Sequence, residues 1–296
     1  MDKKASSAGY AYLFATFFLW GSVYVAGKLG SSQFPPFLLT ALRCLLAVPL
    51  LLAMARAHLR VKIDRADYKY FLAVGLLGYY LTFELVQLGV YLTGASTAAL
   101  VNSFNPVVIM LLAAVLLGER VTPVKLLCLA LAMAGTLIVA GGASGQTELL
   151  GILSTLLATV TWGTAAVCIR RLTAKYPAIL VTAYGMAISL LAHIPTGIYD
   201  ALRQPPRIEW SGVVTVLYLA TAGTALAQST WAKALARFPA GTCSLFYPLQ
   251  AVFSALLGAV FLRETFTSAF FIGLAFVAAD VALSTWETSR EAKRDP

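Results

Sequence analysis

With 296 residues, of which 59% are hydrophobic and only 12% are charged, the chain has too few polar side chains to cover a water-soluble fold, where about 25% of residues are charged. The formal net charge of +9 would otherwise suggest a nucleic-acid partner, but basic residues in a membrane protein collect in its cytoplasmic loops. We therefore predict an all-α membrane protein whose partner is the lipid bilayer, with no nucleic acid.

Apolar segments of about twenty residues recur along the chain, the length that an α-helix needs to cross ~30 Å of hydrocarbon. Turns as short as Thr93-Gly94 make neighbouring segments antiparallel. In chain order the segments predict ten transmembrane helices, numbered 1 to 10: 9–28, 36–55, 69–91, 95–117, 122–142, 149–171, 177–199, 211–235, 240–262 and 267–287.

Lysine and arginine lie mainly on one side of this arrangement. With the N-terminus inside, seventeen of the twenty-two fall on the cytoplasmic side, four fall on the other side, and Arg43 lies within predicted helix 2. This asymmetry follows the positive-inside pattern, which predicts that both termini are cytoplasmic. We expect an integral membrane protein of a bacterial inner membrane.

The two halves of the chain repeat each other's motifs in the same order. Trp20-Gly21-Ser22 and Trp162-Gly163-Thr164 are 142 positions apart, and a Leu-x-Glu pattern ends predicted helices 4 and 9. Because each half contains an odd number of helices, the second half starts on the opposite face. The sequence thus predicts two inverted five-helix repeats, 1–145 and 146–296, that form one membrane unit. That architecture favours a carrier, because it can open alternately to either side.

These motifs together resemble the EamA-type transporters of the drug/metabolite transporter superfamily. The resemblance is carried by the Trp-Gly-Ser/Thr motif, by Pro106-Val107-Val108 and by Leu117-Gly118-Glu119-Arg120, and it covers essentially the whole chain. It implies a central cavity lined by helices 1–4 and 6–9, with helices 5 and 10 at the periphery. It also implies export of small metabolites, amino-acid-like compounds among them.

Polar and aromatic side chains recur at helical spacing inside several predicted helices, and they are costly there unless they face a cavity or a partner. On predicted helix 3, for example, Tyr80, Glu84 and Gln87 share one face. Packing within the bundle is the alternative for each such residue, and for the two tryptophans of the repeated motif it is equally well supported. The predicted substrate pathway consists of Trp20, Tyr80, Glu84, Gln87, Asn102, Asn105, Trp162, Gln228, Trp231, Tyr247 and Gln250.

Arg43 and Glu84 are charged residues at equal predicted depth, ~10 Å below the same boundary. One hypothesis pairs them as an ion pair that braces predicted helices 2 and 3. The other has Glu84 facing the cavity, where it binds a substrate ammonium or carries a coupling proton. We interpret His193 and Asp280 as packing residues whose polar groups are satisfied, and Glu264 as a structural residue at a helix end.

Two prolines, Pro106 and Pro248, interrupt predicted helices 4 and 9 near their middle. A proline frees a backbone carbonyl, so each site is interpreted either as a hinge or as a packing kink.

No catalytic motif accompanies the helices. The two histidines, His58 and His193, are isolated, the four cysteines show no C-x-x-C spacing, and there is no G-x-x-x-x-G-K-[ST] loop. We therefore expect no enzyme activity, no metal and no cofactor. The predicted function is a secondary transporter that exports small amphipathic metabolites, amino acids or related compounds, by alternating access. An exporter of organic cations or drugs is the alternative, and a channel or an intramembrane enzyme is less favoured. The sequence does not decide whether the protein forms a homodimer.

Overall fold

The computed structural model describes residues 3–117, 122–141, 146–244, 246–276, 278–279 and 282–283. Within those residues the chain is helical and contains no strand, which confirms the all-α prediction. In chain order the helices are α1 (Lys3–Gly30), α2 (Pro36–Ala55), α3 (Tyr68–Ala73), π1 (Val74–Leu81), α4 (Thr82–Leu92), α5 (Ala95–Asn102), α6 (Asn105–Leu117), α7 (Pro123–Gly141), α8 (Gln146–Thr173), α9 (Ala178–Arg203), α10 (Trp210–Ala220), π2 (Thr221–Leu226), α11 (Ala227–Leu235), α12 (Ala240–Ser244), α13 (Pro248–Phe261) and α14 (268–276).

Seven helical segments in the described part of the chain are long and apolar enough to cross a membrane, and they coincide with predicted helices 1–4 and 6–8. Large apolar side chains such as Val115 and Leu202 are 80% exposed on the outside, where hydrocarbon can surround them. The protein is an integral membrane protein. The seven segments are Ala8–Gly30, Pro36–His58, Arg65–Leu92, Ala95–Leu116, Glu148–Thr173, Ala178–Arg203 and Trp210–Leu235.

The three other predicted helices are helical over shorter lengths. Predicted helix 5 corresponds to α7, helix 9 to α12 and α13, and helix 10 begins with α14. The count of ten membrane-spanning helices therefore stays a prediction. Asp280 and the residues 118–121, which include Glu119, lie outside the described residues.

Predicted helices 3, 4, 8 and 9 are each interrupted, and the kind of interruption is the same in helices 3 and 8 and in helices 4 and 9. A π-helix divides predicted helix 3 at π1 and predicted helix 8 at π2. Predicted helices 4 and 9 break just before a proline, so that Pro106 and Pro248 lie in the first turn of α6 and α13. Proline is tolerated in a first turn, because the backbone N–H that it lacks would have no helical partner there. Whether these breaks move during function stays a prediction.

The glycines of the two Trp-Gly motifs allow helices of opposite halves to approach closely. A Cβ on Gly21 of α1 would lie 2.8 Å from the carbonyl oxygen of Gln250 and 2.7 Å from Cβ of Phe253, both on α13. A Cβ on Gly163 of α8 would lie 2.8 Å from a side-chain carbon of Val108 on α6. Small residues at such crossings let backbones approach, which is how helices associate in lipid.

Carboxylates from the far half of the chain cap two helices of the first half. Asp200 accepts hydrogen bonds from the backbone N–H groups of Phe37 and Leu38, at 2.9 and 3.2 Å, in the first turn of α2. Glu264 accepts one from the N–H of Ala95 at 2.9 Å, at the start of α5. A negative charge at a helix N-terminus also interacts favourably with the helix dipole. These bonds support the structural interpretation of Glu264.

Two lysines donate hydrogen bonds to oxygen atoms near helix ends. Lys28 donates to three backbone carbonyls around the end of α4, those of Val90, Tyr91 and Thr93. Lys175, between α8 and α9, donates to the carboxylate of Asp67 at 3.0 Å, and this bond raises the pKa of the exposed lysine.

Candidate functional site

A central cavity lies where α1, α2, α4, α5, α8, π2, α11 and α13 meet, and its empty volume of about 580 Å³ includes the open solvent at its mouth. Seven of the eleven residues predicted for the substrate pathway line it: Trp20, Gln87, Asn102, Trp162, Gln228, Tyr247 and Gln250. Their role in binding stays a prediction, but the structure brings them together around one space.

The other four predicted pathway residues lie outside this lining. Trp231 is completely buried behind Trp20 and Tyr247. Asn105 is also completely buried, and its Nδ2 donates to the backbone oxygen of Asn102 at 2.8 Å. Tyr80 packs against His193, with ring centroids 5.1 Å apart. The fourth, Glu84, contacts His193 of α9.

Five aromatic rings pack together on the side of the cavity where α1 begins, and we call them the aromatic floor: Trp20, Trp162 and Tyr247, which line the cavity, with Phe17 and Trp231 packed behind them. Trp20 and Trp162, the equivalent residues of the two motifs, contact each other edge to face at 5.5 Å between ring centroids. The indole N–H of Trp162 donates to the hydroxyl of Tyr247. Phe17 packs beneath them at 4.9 Å from the Tyr247 ring. The floor therefore closes one side of the cavity with apolar surface.

Some polar groups on the cavity wall have hydrogen-bond partners within the protein and others have none among the described residues. Gln87 donates from Nε2 to the hydroxyl of Ser31 at 3.0 Å and to the carbonyl of Gly27 at 3.2 Å. In contrast, Oε1 of Gln228 and Nε2 of Gln250 are buried without a hydrogen-bond partner among the described residues. Since an unpaired buried polar atom is costly, these two amides are suited to bind a polar solute.

The structure corrects the pairing of Arg43 with Glu84. Oε1 of Glu84 lies 2.7 Å from Nδ1 of His193 on α9 and accepts a hydrogen bond from Thr196 at 3.2 Å. The guanidinium of Arg43 instead lies over the ring of Phe83, 4.3 Å from its centroid, and lines the cavity. Side-chain direction decides this outcome: α2 and α4 are neighbours, because Arg43 packs on Phe83 of α4, but Glu84 points towards α9.

Sequence reasoning missed His193 as the partner of Glu84, although a signal was present. His193 lies six residues before the end of predicted helix 7, and Glu84 lies seven residues before the end of predicted helix 3. Both helices run in the same direction, so the two residues lie at nearly equal depth. Arg43 was considered only as a partner of Glu84, and its place in the cavity lining was also missed.

The described residues contain no group of three or more His, Cys, Asp or Glu side chains that could hold a metal ion. All four cysteines are buried.

A family model for EamA-like transporters matches residues 7–141 and 149–286. The chain belongs to the EamA-like transporter family. This result confirms the resemblance that the Trp-Gly and Leu-Gly-Glu-Arg motifs carried. The EamA family and the relatives below are transporters, which points away from an enzyme.

Several relatives of this EamA protein align over most of their length. An uncharacterized transporter of Bacillus subtilis, YetK, is 26% identical over 94% of this chain and 87% of its own. A probable amino-acid metabolite efflux pump of Salmonella typhimurium is 26% identical over 90% of this chain and 91% of its own. A probable terminal-alkyne amino-acid exporter of Streptantibioticus cattleyicolor is 29% identical over 82% of each chain.

A protein of known crystal structure shares the fold of this EamA protein. The two superpose with a TM-score of 0.72 at 24% sequence identity, and the match covers 96% of this chain and 98% of the other. At that identity the likeness extends to the fold and not to the transported compound.

Proposed function

We propose that this protein is a secondary transporter that exports small amphipathic metabolites, amino acids or related compounds, across a bacterial inner membrane. The observation that carries the proposal is the cavity between the two halves of the chain, which combines an aromatic floor with unpaired amide groups on its wall. The names of two relatives, an amino-acid metabolite efflux pump and an amino-acid exporter, support the direction and the class of solute.

Alternating access between two inverted repeats is the mechanism we propose. The family model matches the chain twice, in segments that agree with boundaries near 1–145 and 146–296. The π-helices π1 and π2 occupy corresponding places, and Pro106 and Pro248 are 142 positions apart, the same separation as the Trp-Gly motifs. These correspondences support ten helices in two halves, with the lipid bilayer and the solute as partners.

The alternative of organic-cation export has less support. The organic-cation hypothesis depended on Glu84 facing the solute. In the structure Glu84 pairs with His193 outside the cavity lining, and the charged residue of the lining is Arg43.

Counterflow in proteoliposomes tests the proposed function. Vesicles that contain the purified protein and an excess of one unlabelled metabolite are diluted into the labelled compound, at two pH values and over a panel of amino acids, amines, hydroxy acids and drugs. We expect transient accumulation of at least one labelled metabolite. Replacing Gln250 with leucine removes an unpaired donor from the wall, and we expect it to reduce the initial rate about 10-fold.

Leu202→Ala is the matched control, because this side chain is 80% exposed on the outer surface and should not affect transport. Absence of counterflow for every compound in vesicles with correctly folded protein would contradict a carrier. Flux that does not respond to solute on the opposite side would indicate a channel.

A further inference from the structure

Arg43 is an arginine in the middle of a membrane helix, and it requires an explanation. It lies on α2, eight positions into a helix of twenty residues, and only 5% of it is exposed. Arginine stays charged in proteins and carries five N–H donors in a planar fork. A charge at this position in a bilayer is costly, so such residues face a partner or an aqueous cavity. Arg43 is one of the residues that line the central cavity.

The protein does not supply Arg43 with an anion. Among the described residues no carboxylate forms an ion pair with it within 4.0 Å, and its buried Nε has no hydrogen-bond partner. The ring of Phe83 beneath the guanidinium offers only a cation–π contact, and the thiol of Cys44, which also interacts with the guanidinium, is not a carboxylate that could match the fork. The neighbouring Tyr24 and Asn102, which also line the cavity, are uncharged.

Glu84 is the nearby carboxyl group that would be expected to neutralise Arg43, and its hydrogen bonds prevent this. Nε2 of His193 lies 3.1 Å from the backbone oxygen of Tyr79. A carbonyl oxygen can only accept, so Nε2 carries a hydrogen. Nδ1 lies 2.7 Å from Oε1 of Glu84, and a hydrogen bond there requires one further proton between the two atoms. On either atom, that proton makes the net charge of Glu84 and His193 together zero.

The positive charge of Arg43 is therefore left for something that enters the cavity. We propose that Arg43 is the receptor for a carboxylate group of the transported solute, and that it selects acids and zwitterions over amines. A carboxylate matches the guanidinium fork with two parallel hydrogen bonds. Nε2 of Gln250 is an additional unpaired donor in the lining, and Oε1 of Gln228 is an unpaired acceptor suited to an ammonium or hydroxyl group of the same solute. This inference rests on the proposed function and narrows its class of solute.

The first test changes the solute and leaves the protein intact. Counterflow and thermal stabilisation of the purified protein are measured with sets of three compounds: an amino acid, its carboxamide and the amine that lacks the carboxyl group, such as phenylalanine, phenylalaninamide and phenethylamine. Hydroxy acids with their amides extend the panel. We expect acids to bind and their amides and amines to bind roughly 10- to 100-fold more weakly.

The second test changes Arg43. Arg43→Gln should abolish the preference for acids over amides, and Arg43→Lys should keep the preference but weaken acid binding, because an ammonium cannot form the two parallel bonds. Leu45→Ala is the control: Leu45 lies two positions further along α2, is 45% exposed on the outside and does not line the cavity. Size-exclusion chromatography establishes that each variant is folded.

Each outcome decides for or against the proposal. It is overturned if amides or amines bind as well as the acids, if no acid of the panel binds to folded protein, or if folded Arg43→Gln discriminates as the original protein does. If Arg43→Gln does not fold, the comparison of acids with amides on the unchanged protein decides alone. The proposed function fails separately, when no compound of any charge shows counterflow.

Discussion

At the scale of single residues, the polar groups in the middle of the bundle divide into two kinds. Glu84 and His193 hydrogen-bond each other and the backbone of π1 and together carry no net charge, although Oε2 of Glu84 has no partner among the described residues. Arg43 keeps its charge, and Arg43, Gln228 and Gln250 keep unpaired atoms in residues that line the cavity. Both kinds are expensive in a membrane, and the difference in pairing separates a structural role from a binding role. Both kinds are polar residues inside apolar segments, so the sequence alone does not distinguish them.

The Glu84–His193 pair makes a prediction about stability. His193→Leu removes the partner of the Tyr79 carbonyl and leaves the carboxyl group of Glu84 with only the hydrogen bond from Thr196, so we expect it to reduce the free energy of unfolding by about 3 kcal/mol. Replacing both residues, in Glu84→Leu with His193→Leu, removes the unpaired carboxyl group and should recover part of that loss. Thermal unfolding of the purified protein in detergent measures both. Equal or greater destabilisation in the double variant would contradict a paired role.

At the scale of elements, hydropathy predicted the positions of helices correctly, because these depend on each helix alone. It did not predict the π-helices, which contact neighbouring helices. Hydropathy located predicted helices 1–4 and 6–8, because a run of about twenty apolar residues satisfies lipid by itself. The π-helices π1 and π2 were not predicted. In π1 the backbone oxygen of Leu77 accepts from Thr82 and that of Tyr79 from His193 of α9, more than a hundred residues away in the chain.

The contribution of the Glu264 cap on α5 to stability can be measured. We expect Glu264→Ala to lower the free energy of unfolding by about 1–2 kcal/mol, because the first N–H groups of α5 lose their acceptor. The measured quantity is the midpoint of thermal unfolding. Glu209→Ala is the matched control, since Glu209 precedes α10 but forms no side-chain capping bond. If both variants are equally stable, the cap has no energetic role.

At the scale of the whole molecule, each half of the chain packs against helices of the other half. The Trp-Gly motif of the first half packs on α13 of the second, and that of the second half packs on α6 of the first. The cavity lies between the halves, and residues from both form the aromatic floor. This arrangement means that neither half contains a complete site. A movement of one half against the other would therefore change access to the cavity, as alternating access requires.

The inverted topology with both termini inside is tested by cysteine labelling in intact cells. We introduce Lys62→Cys, in a loop predicted to be cytoplasmic, and Arg207→Cys, in a loop predicted to lie outside, into a background that lacks the four native cysteines. A membrane-impermeant maleimide should label Arg207→Cys in intact cells and label Lys62→Cys only after the cells are opened. Labelling of both, or the reverse pattern, would contradict the predicted orientation.

The sequence by itself determined that the chain enters a membrane, where seven of its helices lie, and which helices carry polar faces. Those properties belong to single helices and their contact with lipid, so composition, length and spacing are sufficient for them. It also carried the motifs that place the chain in its family.

Only the tertiary structure decided that His193 and not Arg43 pairs with Glu84, that Trp231 lies outside the cavity lining, and that Arg43 faces the cavity. Each of these depends on how far a helix is rotated about its axis and which helix lies beside it. Rotation and neighbour are set by close contacts such as those at Gly21 and Gly163, which form between residues far apart in the chain.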